Sequence, residues 1–471
     1  MNLPANQSNN QSLQGEGAKN HLSQINTNAA GIDLGSTEHW VCVGADQTIK
    51  NVRRFGGFTP DLIKLADWLI ECEVDTVAME ATGVYWIPVF QILEKRGIEV
   101  KLVNAHHFKT VPGRKTDVLD CQWLQQLHTY GLLSGSFRPQ DEVCVLRSYI
   151  RQREALIQSA STHVQRMQKA LIQMNLHLHK VISDITGLTG MRILKAIVAG
   201  EQNPKILARL KDPRIKSTTT EIASALTGDY RAEHLFVLKQ ELSLYEVYQQ
   251  QIVAIDEQIE KCLADFEPKT LEQLPETKKK RRKKPTANHP DFDLRQYLYR
   301  MAGVDFTLID GLDSLTVQTI LSEVGLQPQR FPSVKHFTSW LGLCPGQKIT
   351  GGKVKSSQTR KVVNRAANAF RMAAFSLTRS RSALGAFYRR LRSRLGAPKA
   401  ITATAHKLAR MFYRMWTTGS EYTDPGIDYY EQKYHASILK NLHNKAHAMG
   451  LQLVPLTPDT PKASSSTTLT T

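Results

Sequence analysis

The sequence predicts three folded parts: an α/β domain first, a helical or coiled-coil arm in the middle, and a mainly α C-terminal domain. Three observations carry this. Apolar runs of strand length alternate with helical patterns over residues 29–131. Two long stretches, 141–180 and 232–264, are rich in Gln and charge and contain no Gly. Shorter helical patterns begin near residue 297. A chain of 471 residues is long enough for two or three domains, each with its own core.

Residues 1–28 are Asn, Gln and Ser with few large apolar side chains, and 455–471 is Thr, Ser and Pro. Neither buries enough surface to offset chain entropy, so both are expected as disordered tails. The α/β domain is expected over 29–140. AAGIDLGSTEHWVCVGA (29–45) reads as a first hairpin. Val74–Met79 and Ile98–Val103 read as further strands, preceded by helical patterns at 61–72 and about 84–96. DVLDCQWLQQLHTYG (117–131) reads as an amphipathic helix ending at Gly131. The arm is expected over 141–270, where Leu235, Leu238, Leu242, Tyr245, Ile252 and Ile259 fall near one helix face. KKKRRKK (278–284), closed by Pro285, marks a basic linker over 271–296. The C-terminal domain is expected over 297–420, followed by an extension over 421–471. Within it, 304–325 has the outline of a helix–hairpin–helix turning at Gly311. Asn364–Leu377 reads as a helix packed closely through Ala366, Ala367, Phe370 and Ala374. Tyr388, Phe412, Tyr413 and Trp416 read as core rather than as base-stacking platforms.

Charge narrows the function. The net charge of +18 and pI near 9.6 imply a polyanionic partner. No acidic residue lies between Glu323 and Glu421, while 351–420 carries sixteen Lys and Arg. A solvated surface mixes signs, so this stretch reads as a phosphate-binding surface. No apolar run reaches membrane-spanning length, and no secretory signal precedes the first domain. Six scattered cysteines without a C-x-x-C pair argue against a zinc site or disulfide framework, and for a reducing cytoplasm.

Four carboxylates stand out. Asp33 is centred on the first strand between Gly31 and Gly35, and Glu80 ends the strand VDTVAME. Asp117 and Asp120 are three apart on a helix and project from one face. Converging carboxylates need a compensating cation, and hard oxygen ligands suit Mg²⁺ or Mn²⁺. Each aspartate has a plainer reading, Asp33 as a turn or cap residue and the Asp117–Asp120 pair as a helix cap; order and spacing together favour the metal site.

The surrounding words resemble a known family. GIDLGSTEHWVCV, followed by VAMEATGVYWIPVFQILEKRGIEVKLVNAHHFKTVPGRKTDVLDCQWLQQLHTYGLL, is similar to the DEDD transposases of the insertion-sequence-one-ten family. FTSWLGLCPGQKITGGKVKSSQTRKVVNRAANAFRMAAFSL and FYRRLRSRLGAPKAITATAHKLARMFYRMW resemble the family's second domain. The resemblance covers roughly 29–160 and 300–418. It implies a RuvC-like, RNase H-type first domain with Asp33, Glu80, Asp117 and Asp120 as the DEDD residues. It further implies cleavage and rejoining of DNA at element ends and target, a non-coding guide RNA, a homo-oligomer, and a bacterial cytoplasm.

The resemblance also implies a hydroxyl nucleophile in the segment after Gly-Leu-Cys-Pro, where the family has Ser and this chain has Thr350. Ser356 and Ser357 are rivals, and the plainer reading makes Ile349–Gly352 a turn. Lys348, Lys353, Arg360, Lys361, Arg365, Arg389 and Arg390 are the expected nucleic-acid contacts. The segment is no phosphate-binding P-loop, because Gly352 stands where that motif requires Lys. Two other readings remain: a non-catalytic nucleic-acid-binding protein, and a sugar kinase or actin-like ATPase. GIDLGST fits the first phosphate loop of the latter, but a second Asp-centred loop and a Gly-Gly adenosine motif are both missing.

Overall fold

A computed structural model describes residues 23–44, 51–81, 83–104, 116–274, 288–346, 348–360 and 362–454. The basic run 278–284, the tail 455–471 and residues 1–22 of the expected N-terminal tail lie outside the described residues. The chain divides into two compact units, up to Arg138 and from Pro139.

The first unit contains β1 (Ala29–Leu34), β2 (Glu38–Val43), β3 (Val52–Gly56), α1 (Thr59–Glu71), β4 (Thr76–Glu80), α2 (Trp86–Lys95), β5 (Glu99–Val103) and α3 (Asp117–Thr129). The strands lie in the order β3-β2-β1-β4-β5. The β1/β2 and β2/β3 pairs are antiparallel, and β4 runs parallel to both β1 and β5. Ala30, Ile32, Leu34, Val41, Val77 and Met79 face α1 and α2, joining Leu62, Leu65, Leu69 and Leu93 in the larger core. Alternation turns the intervening residues to the opposite face, where Ala78, Val103 and Leu124 form a smaller core under α3. Sequence reading missed β3, whose Arg53 and Arg54 break the apolar alternation. It is an edge strand: Arg54 pairs with Glu38 at 3.2 Å, and the Arg53 guanidinium lies over Trp68, 4.7 Å from the ring centre. Residues 25–28, expected in the tail, are tied down instead. Ile25 N donates to Thr129 O at 2.8 Å, and Asn28 Nδ2 donates to Asp75 Oδ2 at 3.0 Å.

In the second unit α4 (Asp141–Gln173) is followed by four short helices: α5 (Leu178–Val181), α6 (Leu188–Val198), α7 (Pro204–Arg209) and α8 (Thr219–Ala225). The long α9 (Ala232–Asp265) then returns along α4. Cross-contacts set the direction: Arg153 pairs with Asp256, while His163 meets Glu241. The two helices are therefore antiparallel. Met167, Leu171, Met174, Ile193, Leu207, Ile222, Leu238 and Leu242 build a separate core at the hairpin's far end. At the near end the Arg153 guanidinium also donates to Asn288 O at 2.8 Å.

The remainder comprises α10 (Leu294–Ala302), α11 (Ser314–Val324), α12 (Val334–Trp340), β6 (Lys348–Thr350), β7 (Lys353–Ser356), α13 (Arg365–Ser376), α14 (Ala383–Leu395), α15 (Ala397–Thr418) and α16 (Gly426–Ala448). Its core is aromatic: Phe306 stacks on Phe412 with centroids 3.9 Å apart, and Phe337 and Phe370 close around them. Tyr388, Phe412 and Trp416 are buried, as core residues should be. The helix–hairpin–helix expectation fails. Its first limb is a single turn of 3-10 helix, Phe306–Leu308, and Gly311 packs on α13. A Cβ at Gly311 would lie 2.8 Å from Ala373 O, so this turn faces protein rather than phosphate. α11 is held to α4 by Arg151, which grips Glu323 at 2.8 and 2.9 Å. Among the described residues no helix is long and apolar enough to cross a membrane.

Candidate active site

The acidic edge of the first unit is set by register. β1 and β4 pair in parallel from Ala29↔Thr76 to Ile32↔Met79, so the next residues, Asp33 and Glu80, come side by side. Both point to the α3 face, because Gly31 and Ala78 do. α3 tracks along both strands. Over β1, Gln125 Nε2 donates to Ala29 O at 3.3 Å, and Cys121 O and Gln125 N crowd Gly31. Over β4, His128 Nε2 meets Thr76 Oγ1 at 2.9 Å, and Leu124 packs on Ala78. Four residues of helix advance about 6 Å, close to the 6.6 Å of two strand residues. One more step along each track carries Asp117 toward Asp33 and Asp120 toward Glu80.

Local sequence explains the parts. Only Gly fits at position 31, since a Cβ would sit 2.3 Å from Gln125 N and 2.4 Å from Cys121 O. Thr116 caps α3, its hydroxyl accepting from Leu119 N at 3.4 Å. The cap reading of the Asp-x-x-Asp pair therefore falls to Thr116, and both aspartates occupy the first turn, where the helix dipole favours anions. Glu80 is only 4% exposed, Asp33 and Asp120 are half-buried, and Asp117 is exposed. The floor beneath, Cys42, Cys121, Leu124 and His128, is buried. Burial pushes the Cys121 thiol up to about 12, helped by Cys42 and Asp33 nearby, and the Cys42 thiol up to about 11. Burial also pulls the His128 imidazole down to about 4, with a smaller effect from Lys101. Among the described residues no group of three or more His, Cys, Asp or Glu is gathered closely enough to hold a metal ion. Sequence reading gave no place to Trp40, the cross-strand partner of Asp33, although the alternation in EHWVCV put it on the same face.

The second candidate, Thr350, ends β6 and pairs with Lys353 across a two-residue turn. Gly351 and Gly352 make that turn at φ +54° and +73°, a left-handed pair that suits glycine. The turn reading thus holds for the glycines, while Thr350 is a strand residue with an exposed side chain. Pro345 bridges Thr359 and Gly346 N donates to Gln358 O at 2.8 Å, closing the hairpin's base. Ser356 Oγ accepts from Gln358 N at 3.3 Å, and Ser357 is exposed.

The basic residues divide. Lys353 is exposed, Lys361 and the side chain of Lys348 lie outside the described residues. Arg360 Nη2 donates to Ser339 O at 2.6 Å, and Arg365 pairs with Glu154. Arg389 Nη1 donates to Ser380 O at 2.5 Å, and Arg390 lies over the Tyr434 ring at 3.2 Å. Arg389 and Arg390, expected as nucleic-acid contacts, are half-buried and each also pins a neighbouring segment of the chain. On the same helix Arg392 and Arg394 are exposed.

Comparison with known families places these elements. Residues 30–176 match the model for DEDD transposases of the IS110 type, described as transposase. Residues 304–389 match a second model, described as transposase of the IS116/IS110/IS902 family. No curated protein matches the chain. The two matches follow one another along the chain and contain Asp33, Glu80, Asp117, Asp120 and Thr350; the chain belongs to the IS110 family of transposases, enzymes that act on DNA.

Proposed function

We propose that this transposase cleaves and rejoins DNA through a metal-dependent acidic site and a hydroxyl nucleophile. The observation that carries this is the shared register of β1, β4 and α3, which directs four carboxylates to one sheet edge. The strand order β3-β2-β1-β4-β5, with the first three antiparallel, supports a RuvC-like, RNase H-type domain. The donor set suits a hard divalent cation: oxygen ligands alone, one of them nearly sealed from water. Asp33, Glu80, Asp117 and Asp120 would hold Mg²⁺ or Mn²⁺, which supplies charge stabilisation at the scissile phosphate. The chain's own residues do the rest. Glu80 and Asp33 are fixed by strand pairing, and α3 brings the other two carboxylates on one rigid face. The exposed Thr350 hydroxyl, raised on a hairpin between lysines, attacks phosphorus. Its oxygen gives up its proton to solvent and forms the new P–O bond, the strand's own P–O bond breaks, and the departing strand oxygen takes up a proton from solvent. The family resemblance supports a non-coding guide RNA and a homo-oligomer. All six cysteines are free, which supports a reducing cytoplasm.

Trapped reactions test the nucleophile. Thr350→Ser is expected to keep strand exchange, because the hydroxyl remains and rotamer freedom rises. Thr350→Ala is expected to yield no protein–DNA adduct by mass spectrometry of nuclease-trimmed complexes. A nucleotide found on Ser356 or Ser357 reassigns the residue, and recombination by Thr350→Ala at the wild-type rate removes the hydroxyl from the mechanism.

The basic surface is tested by salt. Replacing Arg392 and Arg394 together by alanine is expected to flatten the log–log slope of DNA affinity against salt by about 2, one released counterion per phosphate lost. Fluorescence anisotropy across a salt series measures it. An unchanged slope turns this end of α14 away from DNA.

A further inference from the structure

A cavity of about 270 Å³ opens between α4, α11 and α13, outside both candidate sites. Thr316 and Thr319 line it from α11, Arg365 and Asn368 from α13, and Glu154 from α4. We infer that it receives one unpaired nucleobase from a single strand of nucleic acid, with adenine preferred.

Size comes first. Pockets for drug-sized ligands start at about 300 Å³, so this one is of a size for a single heterocycle. Chemistry comes second. Thr319 Oγ1 donates to Leu315 O at 3.0 Å, which leaves its lone pairs free to accept. Among the described residues the Thr316 hydroxyl and the Asn368 carboxamide have no hydrogen-bond partner, so both can meet a polar edge. A carboxamide carries a donor and an acceptor side by side, which matches the N6 and N7 positions of adenine. The Glu154 carboxylate is engaged by Arg365, so the cavity does not present a bare negative charge to a nucleotide.

The surroundings supply the third argument. Asn368, Met372 and Phe375 share one face of α13, spaced four and seven apart. Met372 is 59% exposed and Phe375 55% exposed, on a helix that also carries Arg365 and Arg371 and has no acidic residue. Exposed apolar and aromatic side chains among arginines form a stacking platform for splayed bases. A strand laid along α13 stacks one base on Phe375 and delivers another to the cavity. This reading rests on the nucleic-acid partner and is independent of the acidic edge.

The test uses the full chain in EDTA, with fluorescent single strands of about a dozen nucleotides: oligo-dA, oligo-dT, oligo-rA and oligo-rU. Wild type is expected to bind adenine strands more tightly than pyrimidine strands. Asn368→Ala is expected to weaken adenine binding on the order of tenfold, with the salt slope unchanged because no phosphate contact is lost. Thr319→Val keeps the side-chain shape and should weaken it in the same direction, with thermal melting confirming a folded chain. Loss confined to the deoxy strands names DNA as the source of the base, and loss confined to the ribo strands names RNA. If both variants bind all four strands within twofold of wild type, the cavity holds no base and the inference fails. Loss of strand cleavage in acidic-site variants leaves these affinities untouched, so the two readings fail separately.

Discussion

Alanine at any one of Asp33, Glu80, Asp117 or Asp120 is expected to lower strand cleavage by at least about 100-fold, leaving a folded chain that still binds nucleic acid. Loss of groups that merely support a metal ligand costs 10–100-fold, and a ligand itself should cost no less. Glu80 gives the cleanest version. It is nearly buried at the end of β4, so Glu80→Gln keeps volume and hydrogen-bonding shape while deleting the charge. Stability should move the other way. Removing one of several neighbouring carboxylates relieves repulsion, so the melting temperature without divalent cation should equal or exceed that of wild type. Adding Mg²⁺ should raise the wild-type melting temperature by ligand linkage and leave the Asp33→Ala chain unmoved. Near-normal cleavage by the Asp33 or Glu80 variants would remove the metal-site assignment.

Gly31→Ala is expected to cost as much activity with no carboxylate touched. The new methyl would stand 2.3 Å from Gln125 N and 2.4 Å from Cys121 O, both backbone atoms of α3. A flexible side chain could swing aside; a helix backbone has to lift off the sheet. Overpacking of this kind costs about 1–3 kcal/mol. The shift also carries Asp117 and Asp120 away from Asp33 and Glu80, and a displacement of about 1 Å can cost roughly 100-fold in rate. Urea unfolding should show the lost stability and a cleavage assay the lost rate. A variant as stable and as active as wild type would mean that α3 does not bear on the strand as described.

The parts of this fold that sequence made legible are those where burial is written into alternation. β1, β4 and β5 stood out because Ile32, Val77, Met79 and Leu102 are core residues spaced by two. Apolar character predicts the start of β4 at Val74, two residues before the observed Thr76. Val74 is buried, but its N–H donates to Leu69 O at the end of α1. Apolar character marked the core and not the hydrogen-bond partner. β3 was invisible because Arg53 and Arg54 are apolar only along their stems, which is what packs on Trp68. The sequence orders the acids along the chain, but the placing of Asp33 beside Glu80 depends on a parallel pairing closed by a crossover, which no local pattern encodes. The arginines show the same limit. Charge along α14 was plain, but Arg390 finds its ring 44 residues later, at Tyr434.

The α4–α9 hairpin behaves as a measuring rod. Thirty-three residues of α4 rise about 50 Å at 1.5 Å each, the length of about 15 base pairs of B-DNA. Because the far end keeps a core of its own and the near end is fastened by Arg153 and Asp256, the shaft between them can change length without rebuilding either. It cannot change by any amount, however. Seven residues added to both helices make two turns, about 10 Å, and nearly restore the original facing. Insertions of five or nine swing the terminal bundle roughly halfway round the axis. The reach of this arm is therefore quantised, and variants that keep a working tip should differ in shaft length by close to whole turns, about seven or eleven residues rather than five or nine.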